Sequence, residues 1–558
     1  MAYDLIIRGG KIVDGSGMPG FLGDIGVQDG RIVTIGKVSG GARRVLDADG
    51  LAVAPGVIDS HCHYDAQVTW DPLCTYSCYH GVTTVVNGNC SLGLAPARQG
   101  DREALASVLA NVEAIPIEAL AAGTAWSWET IPQYLDALDR RLGINVASLI
   151  GYSAVRRYVM GEAAHDREAT EEEIAAMKAI VREGMQAGSL GISFERNPRH
   201  FDLQGKLSPC NLASDQELRE IAGVLRELGT GIIQAGGAGM GMMLAEASGR
   251  PVQSGGVGWL AIDPDGWKKR LARVEEVQRQ GFRIYSSVNS VPQEDQFTLK
   301  TAQHFDMMPT WRSVMYLPME ERKRAFQDPA TRAKLHFEAV ETPPDPSRGG
   351  DFTRRWDLCS VDKPALAKNA SLKGKSITQL AHEQGKDVLD AFLDLALEED
   401  LETVFERRER NSDEAVMATL LTSPYLYHGG SDGGGHVVTH IGYQYPTYFL
   451  GHWVREKGIM SLEEGVRKLT SIPASIFGLH DRGLLQPGLV ADLMVFDPET
   501  IGPLEAEYAS DLPTGALRRK QLAQGIEWTV VNGEVLLERG SHTGACPGRV
   551  FRNSVAAV

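Results

Sequence analysis

Residues 56–70 read GVIDSHCHYDAQVTW, an apolar run, Val57-Ile58, leading into His61 and His63 with one residue between them. Alternate side chains of an extended strand project to the same face, so the two imidazoles point together, and Cys62 points away and is read as structural. Two imidazoles converging at a strand end make half of a zinc-type metal site. His-x-His alone is a weak signal, because single histidines often only hydrogen-bond backbone. The apolar strand before it and Asp65 after it strengthen the metal reading.

Outward from that stretch, strands alternate with helices. GVTTVVNGNCS (81–91), INVASLIGYSAV (144–155), GSLGISFER (188–196), GTGIIQAGG (229–237), RPVQSGGVG (250–258) and FRIYSSVNS (282–290) read as buried strands. Thr170 and Glu173 form a capping box ahead of a helix that closes at Gly188, and DQELREIAGVLRELG is a second amphipathic helix. With the opening stretch first and YLYHGGSDGGG (425–435) last, the candidate strands number eight, which predicts an α/β fold of the (β/α)8, TIM-like kind. A doubly wound sheet is the alternative, since strand order is not legible here.

Both chain ends are rich in short strands. Gly9-Gly10, Asp29-Gly30 and Asn532-Gly533 lie between apolar, β-branched runs and read as hairpin turns. Residues 1–55 and 476–558 are therefore expected to close into one small β-sandwich domain around a barrel spanning 56–475. A stretch at about 291–410, rich in Pro, Arg and Asp, reads as an insertion before the last strand.

At 558 residues, with 43% hydrophobic and 23% charged residues, the chain has the make-up of a large soluble enzyme. Its net charge of −16 argues against nucleic acid or an anionic membrane surface as partner. Seven unpatterned cysteines, no leader-like N-terminus and no long apolar run point to a cytoplasmic protein without a disulfide framework.

Function in such barrels sits at the C-terminal ends of the strands. The metal-capable residues there are His61 and His63, Cys90 after the second strand, and Asp432 on the last. Two imidazoles, a thiolate and a carboxylate suit a zinc-like divalent ion. Such an ion acidifies water, and a neighbouring carboxylate can take and return the proton, which is machinery for hydrolysing an amide or related carbonyl compound. Each residue has an ordinary alternative: Cys90 as a small buried apolar group, Asp432 as a turn aspartate. Arg196, Gln234 and His436 are candidate substrate contacts, with His80, His428 and His440 ranked lower. Trp259, Met307, Met308, Trp311, Met315 and Tyr316 either line an apolar pocket or, as the better expectation, pack in a core.

These residues resemble the amidohydrolase superfamily, and within it the N-acyl-D-amino-acid deacylase (D-aminoacylase) branch. The resemblance is carried by LIIRGGKIVDG, GLAVAPGVIDSHCHYDAQVTWDP, GVTTVVNGNCSLGLAP, TAWSWETIPQYLDAL, GSDGGGH and LTSIPASIFGLHDRGLLQPGLVADLMVFDP, which span most of the chain. It implies a barrel with a terminal β-sandwich and metal-dependent hydrolysis. His61 and His63 match the first-strand ligands, Cys90 the cysteine ligand, and Asp432 the last-strand ligand and general base. The active members of the branch add one histidine from the fifth strand and one from the sixth. Here those strands read GIIQAGGAG and RPVQSGGVG, without histidine. Gln234 or Gln253 stands near those places, and an amide oxygen is a poor replacement for imidazole at zinc. One zinc per chain is therefore expected, in a homo-oligomer acting on a small molecule. The expected reaction is amide C–N hydrolysis of an N-acyl amino acid or cyclic amide. The alternatives are a lactone, the C–C bond of an activated ketone or 1,3-diketone, or a non-catalytic barrel scaffold.

Overall fold

The computed structural model describes residues 3–300, 303–345 and 352–553. Its centre is a sheet of eight parallel strands: β1 (Val57–Asp59), β2 (Val82–Asn87), β3 (Asn145–Gly151), β4 (Gly191–Phe194), β5 (Ile232–Ala235), β6 (Val252–Ser254), β7 (Ile284–Val288) and β8 (Leu426–His428). Each pairs with the next in chain order, without the reversal that a doubly wound sheet requires. Nearly every position on these strands is buried, because helices cover them outside and side chains fill them inside.

The ring closes just past the ends of β1 and β8. Cys62 bridges Gly433 in parallel, His63 N donates to Gly433 O at 2.7 Å, and Asp432 N donates to His61 O at 3.1 Å. Gly434 makes this approach possible: at φ +86° its Cβ would sit 2.8 Å from the His63 backbone. Closure thus brings the first and last strands into one TIM-like barrel. The helix Glu171–Gln186 starts on the expected capping box, with Thr170 N donating to Glu173 Oε2 at 2.8 Å and Glu173 N donating to Thr170 Oγ1 at 3.3 Å.

The two chain ends share one nine-stranded mixed sheet, in which Leu493–Phe496 pairs antiparallel with Ala52–Pro55. Leu5, Ile7, Ile25, Val27, Val495, Trp528 and Val530 form its apolar core. Asp29-Gly30 and Asn532-Gly533 turn with both residues at positive φ, as two-residue hairpins require. Gly9-Gly10 does not turn. The strand Tyr3–Ile12 runs through it, and the register shift between Ile7 and Gly10, with Gly9 at φ +71°, makes it a β-bulge.

Between β7 and β8 the chain forms an antiparallel three-stranded sheet, Gln293–Phe297, Val404–Arg410 and Cys359–Lys363, with helices packed on it. This unit has its own aromatic core, where Phe305 stacks on Trp311 at 4.2 Å among Phe326, Phe352, Phe392 and Phe405. Met308, Trp311 and Met315 belong to that core and Trp259 packs against the barrel core, so these four pack as core residues. Among the described residues no helix is long and apolar enough to cross a membrane.

Candidate metal centre

The C-terminal ends of the barrel strands surround a cavity of about 380 Å³. His61, Cys90, Glu195, His200, Gln234, Gln253, Arg410, Asp432 and His440 are among the side chains on its wall. His61 and His63 follow β1 in extended chain, and their rings meet edge-on with centroids 5.4 Å apart. Cys90 ends the loop after β2, with Sγ 3.3 Å from His61 Nε2. Asp432 follows β8, with Oδ1 3.4 Å from His61 Nε2 and 3.7 Å from His63 Nε2. Thus His61, His63 and Cys90 converge at the barrel rim, and Asp432 stands beside the two imidazoles.

Local backbone departs from the ordinary to put them there. Cys90 and Ser91 take φ +55° and +62°, and Asp432 and His436 take +51° each. Non-glycine residues in that region cost energy and cluster at functional sites. Packing holds the Cys90 loop in place: Cys90 N donates to Gln234 Oε1 at 2.8 Å, and Ser91 N donates to Ser193 Oγ at 3.0 Å.

The electrostatics suit a cation. Burial holds His61 below its ordinary range and His63 well below it, so both imidazoles are neutral and offer a lone pair at neutral pH. Burial opposes ionisation of Asp432, yet the surrounding histidines His61, His63, His436 and His440 hold its carboxyl at about 2. Burial first, then the nearby carboxylates Glu195, Glu113 and Asp432, push the Cys90 thiol well up. A thiolate among buried carboxylates is stable only with a compensating positive charge. The buried Glu113 Oε2 has no hydrogen-bond partner, as expected of a carboxyl oxygen placed to face an ion. His61, His63 and Cys90 bring donor atoms within 4.8 Å of one another, and the set fits zinc.

Other expected residues are placed differently. Arg196 does not reach the cavity; its guanidinium donates to Asp215 Oδ1 at 2.6 Å and Ala213 O at 2.5 Å, at the start of the helix Asp215–Leu228. His436 is not on the cavity wall and faces Glu113 at 3.5 Å. Gln234 is on the wall, but its oxygen is spent on Cys90 N. His80 bonds Thr447 and Gln521, and His428 is enclosed between Tyr445 and Phe449. Cys62 lies buried against Asp59 O, as expected of a structural thiol.

Three residues escaped the sequence reading. Glu113 caps the helix Arg102–Val112, is buried, and lies 3.5 Å from His63 Nε2. Its only signal was a lone acid in the apolar run VLANVEAIPI. Glu195, just after β4, is raised by burial to about 7. Arg410 lines the cavity, and among the described residues it is in no ion pair, unlike its neighbour Arg408, which pairs with Glu294 and Glu406.

The amidohydrolase family model matches residues 44–537. The chain belongs to the amidohydrolase family. This amidohydrolase is 30% identical to the D-aminoacylase of Alcaligenes xylosoxydans xylosoxydans, over 99% of this chain and 98% of that protein. It is 27% identical to the N-acyl-D-glutamate deacylase of the same organism, over 99% and 97%. Among solved structures it resembles that of a D-aminoacylase at TM-score 0.68 and 25% identity, covering 99% of this chain and all of that one. The N-acyl-D-glutamate deacylase of Bordetella bronchiseptica, solved with zinc and a phosphonate mimic of the tetrahedral intermediate, matches at TM-score 0.66 and 25% identity, covering 99% of this chain. Another D-aminoacylase structure, at TM-score 0.67, is described with a binuclear metal centre. This amidohydrolase is a metal-dependent hydrolase acting on non-peptide C–N bonds.

Proposed function

We propose that this amidohydrolase hydrolyses the amide bond of an N-acyl-D-amino acid, with His61, His63, Cys90 and Asp432 holding one zinc-type ion. The observation that carries the reading is the approach of those four side chains beside a cavity whose wall also bears Arg410, which has no acidic partner among the described residues. When bound, the ion polarises a carbonyl oxygen and acidifies water. Asp432, ionised and beside both histidines, accepts the proton of the attacking water and returns it to the leaving nitrogen. Arg410 pairs with the free carboxylate of the substrate, and Gln234 keeps the Cys90 loop fixed during the cycle. The relatives named for N-acyl-D-amino acid deacylation support this substrate class. All seven cysteines are unpaired, which supports a reducing, cytoplasmic setting. A homo-oligomer acting on a small molecule completes the reading.

The test is a kinetic screen of the zinc-loaded protein on N-acetyl-D-amino acids, their L isomers, cyclic amides, lactones and 1,3-diketones. Turnover confined to the D-amides supports the reading, and turnover confined to lactones or diketones sinks it. Arg410→Ala should raise KM for carboxylate-bearing amides about 10-fold, in line with about 1.5 kcal/mol for a bond to a charged group, with kcat little changed. An equal rise for a substrate amidated at that carboxylate would remove Arg410 from this role.

A further inference from the structure

The chain has a second set of converging donors. Asp432, His436 and His440 bring donor atoms within 4.8 Å of one another. They fall four residues apart in the loop after β8, where His440 N donates to His436 O at 3.1 Å and the two rings stack at 4.5 Å. Glu113 stands beside the set. Its Oε2 lies 3.5 Å from His436 Nε2, buried and without a hydrogen-bond partner, and its backbone carbonyl accepts from His436 N. Gly435 leaves room for that carboxylate, since a Cβ there would lie 2.4 Å from Glu113 Oε2.

We propose that Glu113, Asp432, His436 and His440 form a second divalent-cation site that shares Asp432 with the first. The ligands are imidazole and carboxylate, with no thiolate, so the site takes zinc, cobalt or a somewhat harder ion. His440 is oriented as metal-binding histidines are, with Nδ1 2.9 Å from Asp295 Oδ1, which leaves Nε2 for the ion. A buried carboxyl oxygen with no hydrogen bond, facing an imidazole nitrogen, is placed as a ligand to such an ion would be. The site needs nothing from β5 and β6, so two cations can be held although Gln234 and Gln253 stand on those strands. The proposal rests on the first-site reading only through the shared Asp432.

Cobalt titration of the metal-free full chain separates the two sites, because only a cobalt on Cys90 gives a thiolate-to-cobalt charge-transfer band. Two equivalents are expected, one with that band and one with weak d–d absorption alone. Glu113→Gln and the double variant His436→Ala, His440→Ala should each lose the second equivalent and keep the band. Cys90→Ser should lose the band and keep the second equivalent. A single equivalent whose band the variants leave intact would overturn the second site and leave the first standing. Loss of the band in the double variant, with circular dichroism unchanged, would assign these histidines to the first site and equally overturn the proposal. Failure to bind any cobalt would overturn both readings. Should the double variant not fold, Glu113→Gln decides, since it changes one buried oxygen to an amide nitrogen.

Discussion

The two arcs of the barrel mouth differ sharply. On the arc formed by β1, β2 and β8, donors crowd: His61, His63, Cys90 and Asp432 lie within a few ångströms, two of them on left-handed backbone. On the arc of β5 and β6 the chain offers Gln234 and Gln253 and then Gly255, Gly256 and Gly258, and what stands there is open cavity wall. The converging metal-capable side chains and the open wall therefore lie on opposite arcs. Glutamine on the open arc keeps the hydrogen-bonding that steadies Cys90 without competing for the ion.

The comparison is broken most directly on the donor arc. Asp432→Asn keeps the shape but removes the base and a negative ligand, and should lower kcat by about 10²–10⁴-fold. The measurement is single-turnover kinetics at saturating zinc. Retention of most activity would move the proton-transfer role elsewhere, with Glu195 next in line because burial raises it to about 7 and it lines the same cavity.

The open arc is predicted to act through the donor arc. Gln234→Ala removes the acceptor of Cys90 N, a bond of 2.8 Å, and should weaken zinc binding by about 10–100-fold. Gln253→Ala touches no donor and should leave zinc affinity as it is. Competition with a chromogenic chelator measures both. If the two variants weakened zinc equally, the glutamines would be ligands themselves, and the division into arcs would fail.

What the sequence disclosed follows the same division. His61 and His63 were legible because alternation along an extended chain is local, and Asp432 because it follows an apolar strand. Cys90 was legible only through its place after the second strand, since one cysteine carries no spacing, and the family resemblance added to that. Glu113 was illegible: it comes from a helix end after β2 and meets His436 only when the ring closes between Cys62 and Gly433. Arg196 misled because a charge next to a strand end was read as facing inward, whereas the helix start at Asp215 captures it. Gly9-Gly10 misled because a bulge and a turn ask the same freedom of glycine. The strand count was legible, and strand order was not, because closure rests on contacts between residues far apart in the chain.

The two arcs also lean in opposite directions with pH, which gives the smallest effect and the finest test. On the donor arc, Asp65 follows His63 and is raised by burial to about 7, against about 3.9 in an unfolded chain. Between those values the folded chain holds a proton that the unfolded chain lacks, so this group adds stability as pH falls and loses it as pH rises through 7. On the cavity wall next to the open arc, after β4, His200 is lowered by burial to about 3, against about 6.5 unfolded. Between those values the unfolded chain holds the extra proton, so the stability His200 contributes is complete above 6.5 and declines as pH falls. Each group changes the slope by about 1.4 kcal/mol per pH unit within its window. In metal-free protein, urea midpoints measured from pH 4.5 to 6.5 should therefore decline less steeply towards acid in His200→Gln than in the wild type. In Asp65→Asn the same decline should steepen, because the opposing group is gone. A change of the same sign in both variants would mean that one of these groups is not buried in its neutral form, and the electrostatic contrast between the arcs would not hold.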